Sequence, residues 1–273
     1  MRPIKIGVQL APRFGDLSRL REAWMEAEAL GADALYSADH FFAQVLAPST
    51  ANKVQVEQVS FDKNYEATTL QAAMAATTSR AEIGCIVHSN SYRNPNLMAD
   101  IARTIDHISG GRFILGIGAG YFKIDYDAYG YEFGTQKSRL EDLARNLPII
   151  KARFEKLNPK PLRKIPILIP SMGEKIGMRI VAEHADIWSV YGPVDTVLEK
   201  QDVMRNICRE IGRDYASLEQ LTHYVPTVLP EADPDVILGK FGVRNIVCVV
   251  EGPDWDLRLL RELLQWRKNQ STK

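Results

Sequence analysis

Cysteine is scarce in this chain. Cys85, Cys208 and Cys248 lie far apart in 273 residues, which excludes a disulfide framework and a Cys-x-x-Cys metal site. The five histidines form no His-Glu-x-x-His pattern, so a zinc hydrolase of that type is excluded and no metal is expected. Neither sign of charge predominates, since 34 Lys plus Arg balance 34 Asp plus Glu. Such a surface offers no basic field for nucleic acid and no polybasic face for a membrane. No apolar run approaches the roughly 20 residues of a spanning helix. The opening MRPIKIGVQLAP reads as a strand and not as a signal peptide, so the expected setting is a reducing cytoplasm.

What the chain does have is alternation. Apolar β-type runs and amphipathic helical patterns follow one another from end to end. IKIGVQL (4–10) is the first strand. DLSRLREAWMEAEALG (16–31) is a helix that Asp16 can cap and Gly31 can end. ADALYSADH (32–40), AEIGCIVH (81–88), RFILGIGAG (112–120), IPILIP (165–170), DIWSVYG (186–192), LEQLTHYVPTVL (218–229) and VRNIVCVV (243–250) supply seven more strands. Helical patterns separate them, and Pro148 is expected to kink or split the one over 137–157. A polar, β-branched segment (41–64) is expected to be a long loop, of the kind that often carries function. Eight strand-then-helix units without a linker predict a single-domain (β/α)8 TIM barrel over residues 1–273, with a doubly wound sheet as the alternative. In a barrel the chemistry sits on the loops after the strand ends, here near Leu10, Asp39, Val87, Gly118, Pro170, Ser189, Pro226 and Val250.

GGRFILGIGAGYF (110–122) superficially resembles a dinucleotide loop. Its third glycine position holds Tyr121, three strands precede it, and YFKIDYDAYG reads as a loop where a helix should begin. The dinucleotide reading therefore fails. In a barrel, Gly116 falls within the fourth strand, and Gly118, Ala119 and Gly120 form its exit. Small residues there suit either close approach of a flat ligand or tight internal packing.

Four segments in order, AEALGADALYSADHF, IGCIVHSNSYRNP, DHISGGRFILGIGAGYF and PSMGEKIGMRIVAEHADIWSV, resemble the luciferase-like monooxygenase superfamily. The nearest branch is that of the oxidoreductases using the deazaflavin coenzyme F420. The resemblance spans nearly the whole chain and implies a TIM barrel with a flat tricyclic ring held at its C-terminal mouth. It implies that Asp39 and His40 lie against the ring, with His40 the acid/base group, a role suited to a side chain that titrates near neutral pH. It implies a non-proline cis peptide bulge near Ile86–Val87 supporting the ring, bordered by Cys85, Val87, His88 and Ser89. At the fourth exit it places Gly118, Ala119, Gly120 and Tyr121 beside the cofactor. Family members often carry an acid just past those glycines. Here the first carboxylate is Asp125, so the resemblance does not supply a second acid at this loop. Met172, Gly173 and Glu174 are expected to offer backbone N–H groups to the cofactor phosphate, and Ser189 to meet its ribityl–phosphate tail.

The implied activity is hydride transfer between F420 and a small organic substrate. The alternatives are an FMN-dependent monooxygenase and a non-catalytic flavin-binding barrel. Relatives commonly pair through barrel helices, so a homodimer is expected, with the 41–64 segment either lining the substrate pocket or acting as a dimer arm.

Overall fold

The computed structural model describes residues 2–46, 56–60, 63–173 and 176–270. Eight parallel strands form a closed ring: β1 (Lys5–Leu10), β2 (Ala34–Ser37), β3 (Glu82–Cys85), β4 (Phe113–Gly118), β5 (Ile167–Pro170), β6 (Ile187–Ser189), β7 (Glu219–Tyr224) and β8 (Asn245–Val250). Each strand pairs with the next in the chain, and β8 returns to β1 in a register running from Lys5 opposite Asn245 to Leu10 opposite Val250. This is the (β/α)8 barrel expected from the alternation, and it displaces the doubly wound alternative. In the ring β2 stands across from β6, and β3 across from β7.

The helices are α1 (Leu17–Leu30), α2 (Ala67–Thr77), α3 (Pro95–Ser109), α4 (Lys123–Tyr129), α5 (Gln136–Lys156), α6 (Ile176–His184), α7 (Val194–Glu210), the single turn α8 (Pro234–Val236) and α9 (Arg258–Gln270). Local chemistry sets many of their ends. Asn94 accepts hydrogen bonds from Asn96 and Leu97 N–H just before Pro95, and Gly110 closes α3 at φ 67°. Gly31 closes α1 in the same left-handed way, but Asp16 makes no capping bond and its carboxylate pairs with Lys63 instead.

Three expectations need correction. Pro148 does not split α5, whose 21 residues run through it with Leu143, Leu147 and Ile150 buried on one face. A proline removes one backbone donor from a ladder of this length, and the packed face holds the turns on either side together. YFKIDYDAYG is no loop, because Lys123–Tyr129 is helical and Gly130 ends it at φ 70°. The 41–64 segment is no simple loop either. Ala43–Leu46 and Val56–Ser60 form an antiparallel pair, with a register shift between Val45 and Leu46. Residues 47–55 and 61–62, part of the stretch expected to line the substrate pocket or act as a dimer arm, lie outside the described residues.

The ring is filled from below. Ala34, Tyr36, Ile114, Leu168, Ile187, Leu221 and Val247 pack inside it, with Ile86 and Val87 against them. At the N-terminal end Lys5 Nζ lies 3.1 Å from Glu82 and 3.7 Å from Glu219, whose Oε1 also accepts from Asn245 at 2.9 Å. A second, larger apolar layer between strands and helices includes Trp24, Trp188 and Trp255, all fully buried. No described helix is long and apolar enough to cross a membrane. With the lower end closed by ion pairs, the strand C-termini are where polar side chains can face a ligand.

Candidate active site at the barrel mouth

The strand β3 does not run straight into its loop. The Ile86–Val87 peptide is cis, and the chain resumes pairing with β4 at His88–Ser89. This is the bulge the family resemblance implied. Gln9 on β1 donates to the Ile86 carbonyl at 2.8 Å, and Ile86 N–H donates to Ser37 O at 3.0 Å. The glycines of β4 make room for it. A Cβ on Gly116 would collide with the Cys85 carbonyl oxygen, and one on Gly118 would stand 2.8 Å from a Val87 methyl. Packing by itself requires glycine at these two positions, because they seat the bulge. Gly120 has φ +78°, and a Cβ there would strike the Tyr126 hydroxyl. Gly116→Ala is expected to cost at least about 1–3 kcal/mol, because the obstacle is backbone and not a movable side chain. Thermal denaturation reads the loss as a drop of several degrees in Tm.

His40 leaves β2 at the mouth, with 22% of its side chain exposed. Its Nδ1 lies 2.8 Å from Asp125 Oδ2. Asp125 is fully buried and surrounded by donors: Phe41 and Phe42 N–H reach Oδ1 at 3.1 and 3.2 Å, and the Tyr92 hydroxyl donates to Oδ2 at 3.0 Å. A carboxylate so placed accepts from the imidazole, which puts the proton on Nδ1 and leaves Nε2 as the basic nitrogen. The Tyr121 hydroxyl lies 3.4 Å from Nε2, and Phe122 packs edge-on against the ring at 5.6 Å. The first carboxylate past the β4 exit, Asp125, is thus the one that meets His40. It sits five residues past Gly120, and the short helix α4 turns it inward. Phe41 stacked on Tyr129 at 3.8 Å and beside Tyr92 at 4.7 Å fixes that helix to the exit of β2.

The other expected residues divide. Ile86 and Val87 face the barrel interior. Ala119, Gly120 and Tyr121 line the exit of β4 and are partly or fully exposed. Ser189, on the inward face of β6 opposite Leu221, is 1% exposed, and its hydroxyl has no hydrogen-bond partner among the described residues. Met172 is half-buried, and the Gly173 N–H is engaged by Ser171 Oγ at 3.3 Å. Glu174 lies outside the described residues.

Asp39, Cys85 and His88 are buried, Asp39 against Arg93 and Ser89 and His88 against Gln71 of α2. Asp39 receives both Arg93 guanidinium nitrogens, at 2.7 and 2.9 Å, and Ser89 N–H at 3.0 Å. Burial alone would raise its pKa, but the neighbouring His88 and Arg93 outweigh that and hold the carboxyl below the usual carboxylate range. His88 is fully buried and donates from Nε2 to Gln71 Oε1 at 3.1 Å, while Gln71 donates to Ser37 Oγ at 2.8 Å. Burial pushes the Cys85 thiol well up, so it stays protonated. Ser89 joins this wall through its backbone, and its hydroxyl lies 3.1 Å from that of Tyr126. His107 and His184 lie apart from the mouth, where they contact the Lys160 carbonyl and the Lys151 ammonium.

Sequence reasoning missed His223. It follows Leu221 on the inward face of β7, opposite Val247, with the Tyr191 ring edge-on at 6.1 Å. The protein packed around it lowers its pKa from 6.5 to about 4. An unfolded chain therefore takes up the proton as pH falls below 6.5, while the folded chain resists until about 4. Stability is lost across that window, by at most about 3 kcal/mol from this group. His184, also lowered by burial, adds in the same direction. His223→Phe is expected to flatten part of the fall in Tm between those two pH values.

The structure thus combines a closed barrel, a bulged third strand and a partly exposed histidine anchored on a buried carboxylate at the C-terminal mouth. The chain belongs to the luciferase-like monooxygenase family, which it matches over residues 3–233. Pyrimidine monooxygenase RutA of Enterobacter sp. (strain 638) is 28% identical over 179 residues, 58% of this chain and 49% of that protein. The chain thus spans about half the length of this curated relative. Among solved structures, an F420-dependent secondary alcohol dehydrogenase in complex with an F420–acetone adduct matches with a TM-score of 0.74 at 15% identity, over 96% of this chain and 98% of the other. The long-chain alkane monooxygenase LadA matches with a TM-score of 0.72 at 12% identity, over 97% and 90%. At these identities the two structures establish the shared fold.

The mouth fits a flat redox ring. The bulge at Ile86–Val87 is a raised apolar platform held up by Gln9 and seated on glycines. The orphaned Ser189 hydroxyl is a buried polar atom of the kind a ligand satisfies.

Proposed function

We propose that the chain is an oxidoreductase that moves a hydride between the deazaflavin coenzyme F420 and a small organic substrate. The observation that carries this reading is the His40–Asp125 pair: a partly exposed imidazole at the mouth, its Nδ1 anchored 2.8 Å from a fully buried carboxylate. Hydride exchange at a carbon bearing oxygen needs one proton moved at that oxygen, and Nε2 of His40 is the group poised to move it. In the oxidative direction Nε2 accepts the hydroxyl proton, and Asp125 stabilises the imidazolium that results. In the reductive direction the imidazolium returns the proton to the carbonyl oxygen. The bound coenzyme supplies or accepts the hydride. Ile86 and Val87 would hold its ring, Gly118 to Tyr121 would border it, and Ser189 would bond its tail. The match to an F420-dependent alcohol dehydrogenase along nearly the full length of both chains supports this reading.

A second reading, reduced FMN with oxygen, is favoured by one observation: the curated relative with 28% identity is named a monooxygenase. Titration of the purified protein with F420 and with FMN, each followed by cofactor fluorescence, separates the two. Tighter binding of F420, with bleaching of its absorbance on addition of an alcohol without oxygen, is the expected result. Tighter binding of FMN with oxygen uptake would replace the first reading by the second. Binding of neither would remove both.

A further inference from the structure

Opposite the His40 wall, the barrel rim carries two polar side chains that the proton-transfer pair does not use. The pairing of Leu221 with Ser189 puts both on the inward face. The next inward positions are His223 on β7 and Tyr191 just past β6, and their rings meet edge-on at 6.1 Å. Neither imidazole nitrogen of His223, nor the Tyr191 hydroxyl, makes a hydrogen bond to any described residue. Val87, Gly118 and Pro170, which lie together on the inner face, offer no side-chain donor or acceptor, and the Ser89 hydroxyl, beside Gly118, already meets that of Tyr126. Gln9 already spends its amide N–H groups on the Ile86 and Ser37 carbonyls.

We infer that Tyr191 and His223 form the substrate-selecting subsite of this mouth, binding a second, uncharged polar group of a substrate whose reacting oxygen lies at His40. This rests on the reading above that substrate is turned over at the mouth. The chemistry follows from the two groups. A phenol and a neutral imidazole can each donate and accept a hydrogen bond, which matches a hydroxyl, a carbonyl or an amide. Because His223 stays neutral down to about pH 4, it offers a phosphate or carboxylate no compensating charge. Ring order places β6 across from β2, so a substrate reaching both walls carries its two polar groups at opposite ends. A group bonded only at the rim discriminates against analogues lacking it, because the rim atoms are then left partly desolvated and unpaired.

The test uses the F420-loaded protein labelled with 15N-histidine. The His223 signal is assigned by its loss in H223F. Cyclohexanol, trans-cyclohexane-1,4-diol and cyclohexyl phosphate are titrated separately, and F420 affinity is measured for wild type, Y191F and H223F. The diol is expected to shift the His223 signal and to bind about tenfold more tightly than cyclohexanol. Each variant should weaken diol binding by roughly 3- to 10-fold, the worth of one hydrogen bond, with F420 affinity unchanged. A diol no tighter than cyclohexanol, a tighter phosphate, or variants that weaken F420 and spare the diol would overturn the assignment. Should F420 fail to bind the wild type, the functional reading fails by itself. The same diol titration on the cofactor-free protein then still decides the role of the pair.

Discussion

Replacing His40 by alanine is expected to lower turnover by about 10²–10⁴-fold, the usual worth of a positioned acid/base group, while cofactor affinity changes little. The two effects separate because His40 stands at the rim, while the groups proposed to hold the cofactor, Ile86, Val87, the β4 exit and Ser189, come from other strands. The fold should survive. Asp125 loses one of its four donors but keeps the Phe41 and Phe42 N–H groups and the Tyr92 hydroxyl. An exogenous imidazole entering the vacated space should restore part of the rate, since the buried carboxylate that orients it is still present. Steady-state rates and fluorescence binding on the same preparation check both parts. A loss of cofactor affinity as large as the loss of rate would mean that His40 holds the ring and does not move the proton.

The largest effect on stability is expected from Arg93→Met. Asp39 is 4% exposed and both of its oxygens face the guanidinium, which also contacts Glu66. Removing the cation leaves a buried carboxylate with only the Ser89 N–H and the neighbouring His88 for support. Breaking a buried pair from one side costs about 3–5 kcal/mol, on the order of 10 °C in Tm for a chain of this size. The double variant Arg93→Met, Asp39→Leu should recover much of that loss, because no unpaired charge then remains inside. Chemical denaturation of the single and double variants measures the difference. A single variant as stable as wild type would show that Asp39 has found water, and that this wall is less enclosed than its exposure indicates.

The barrel was legible in the sequence because eight strands and their helices repeat one pattern long enough to be counted. What escaped was short or depended on facing. The helix α4 has seven residues, too few for a periodic apolar face to declare itself, and with it went the role of Asp125. The cis bulge was placed at Ile86–Val87 through the family resemblance; nothing in the residue types alone marks it. Asp39 and His40 are adjacent in sequence, yet one is sealed under Arg93 while the other opens on the mouth. Cys85 and His88 flank the bulge and both turn outward, against α2 and its surroundings. His223 could be recognised only once the register of β7 against β8 had fixed which of its side chains look inward. Motif matching finds a segment, and the pleat then decides which of its residues reach the site.

We propose that a planar redox ring rests on the Ile86–Val87 bulge with its reactive face toward His40, a claim that a crystal structure of the protein soaked with F420 decides. The expected result is density for the ring over Val87, its tail near Ser189, and its central carbon open toward His40 Nε2. A ring bound at the Lys5–Glu82–Glu219 end of the barrel, or one at the mouth with His40 turned away from it, would contradict the claim.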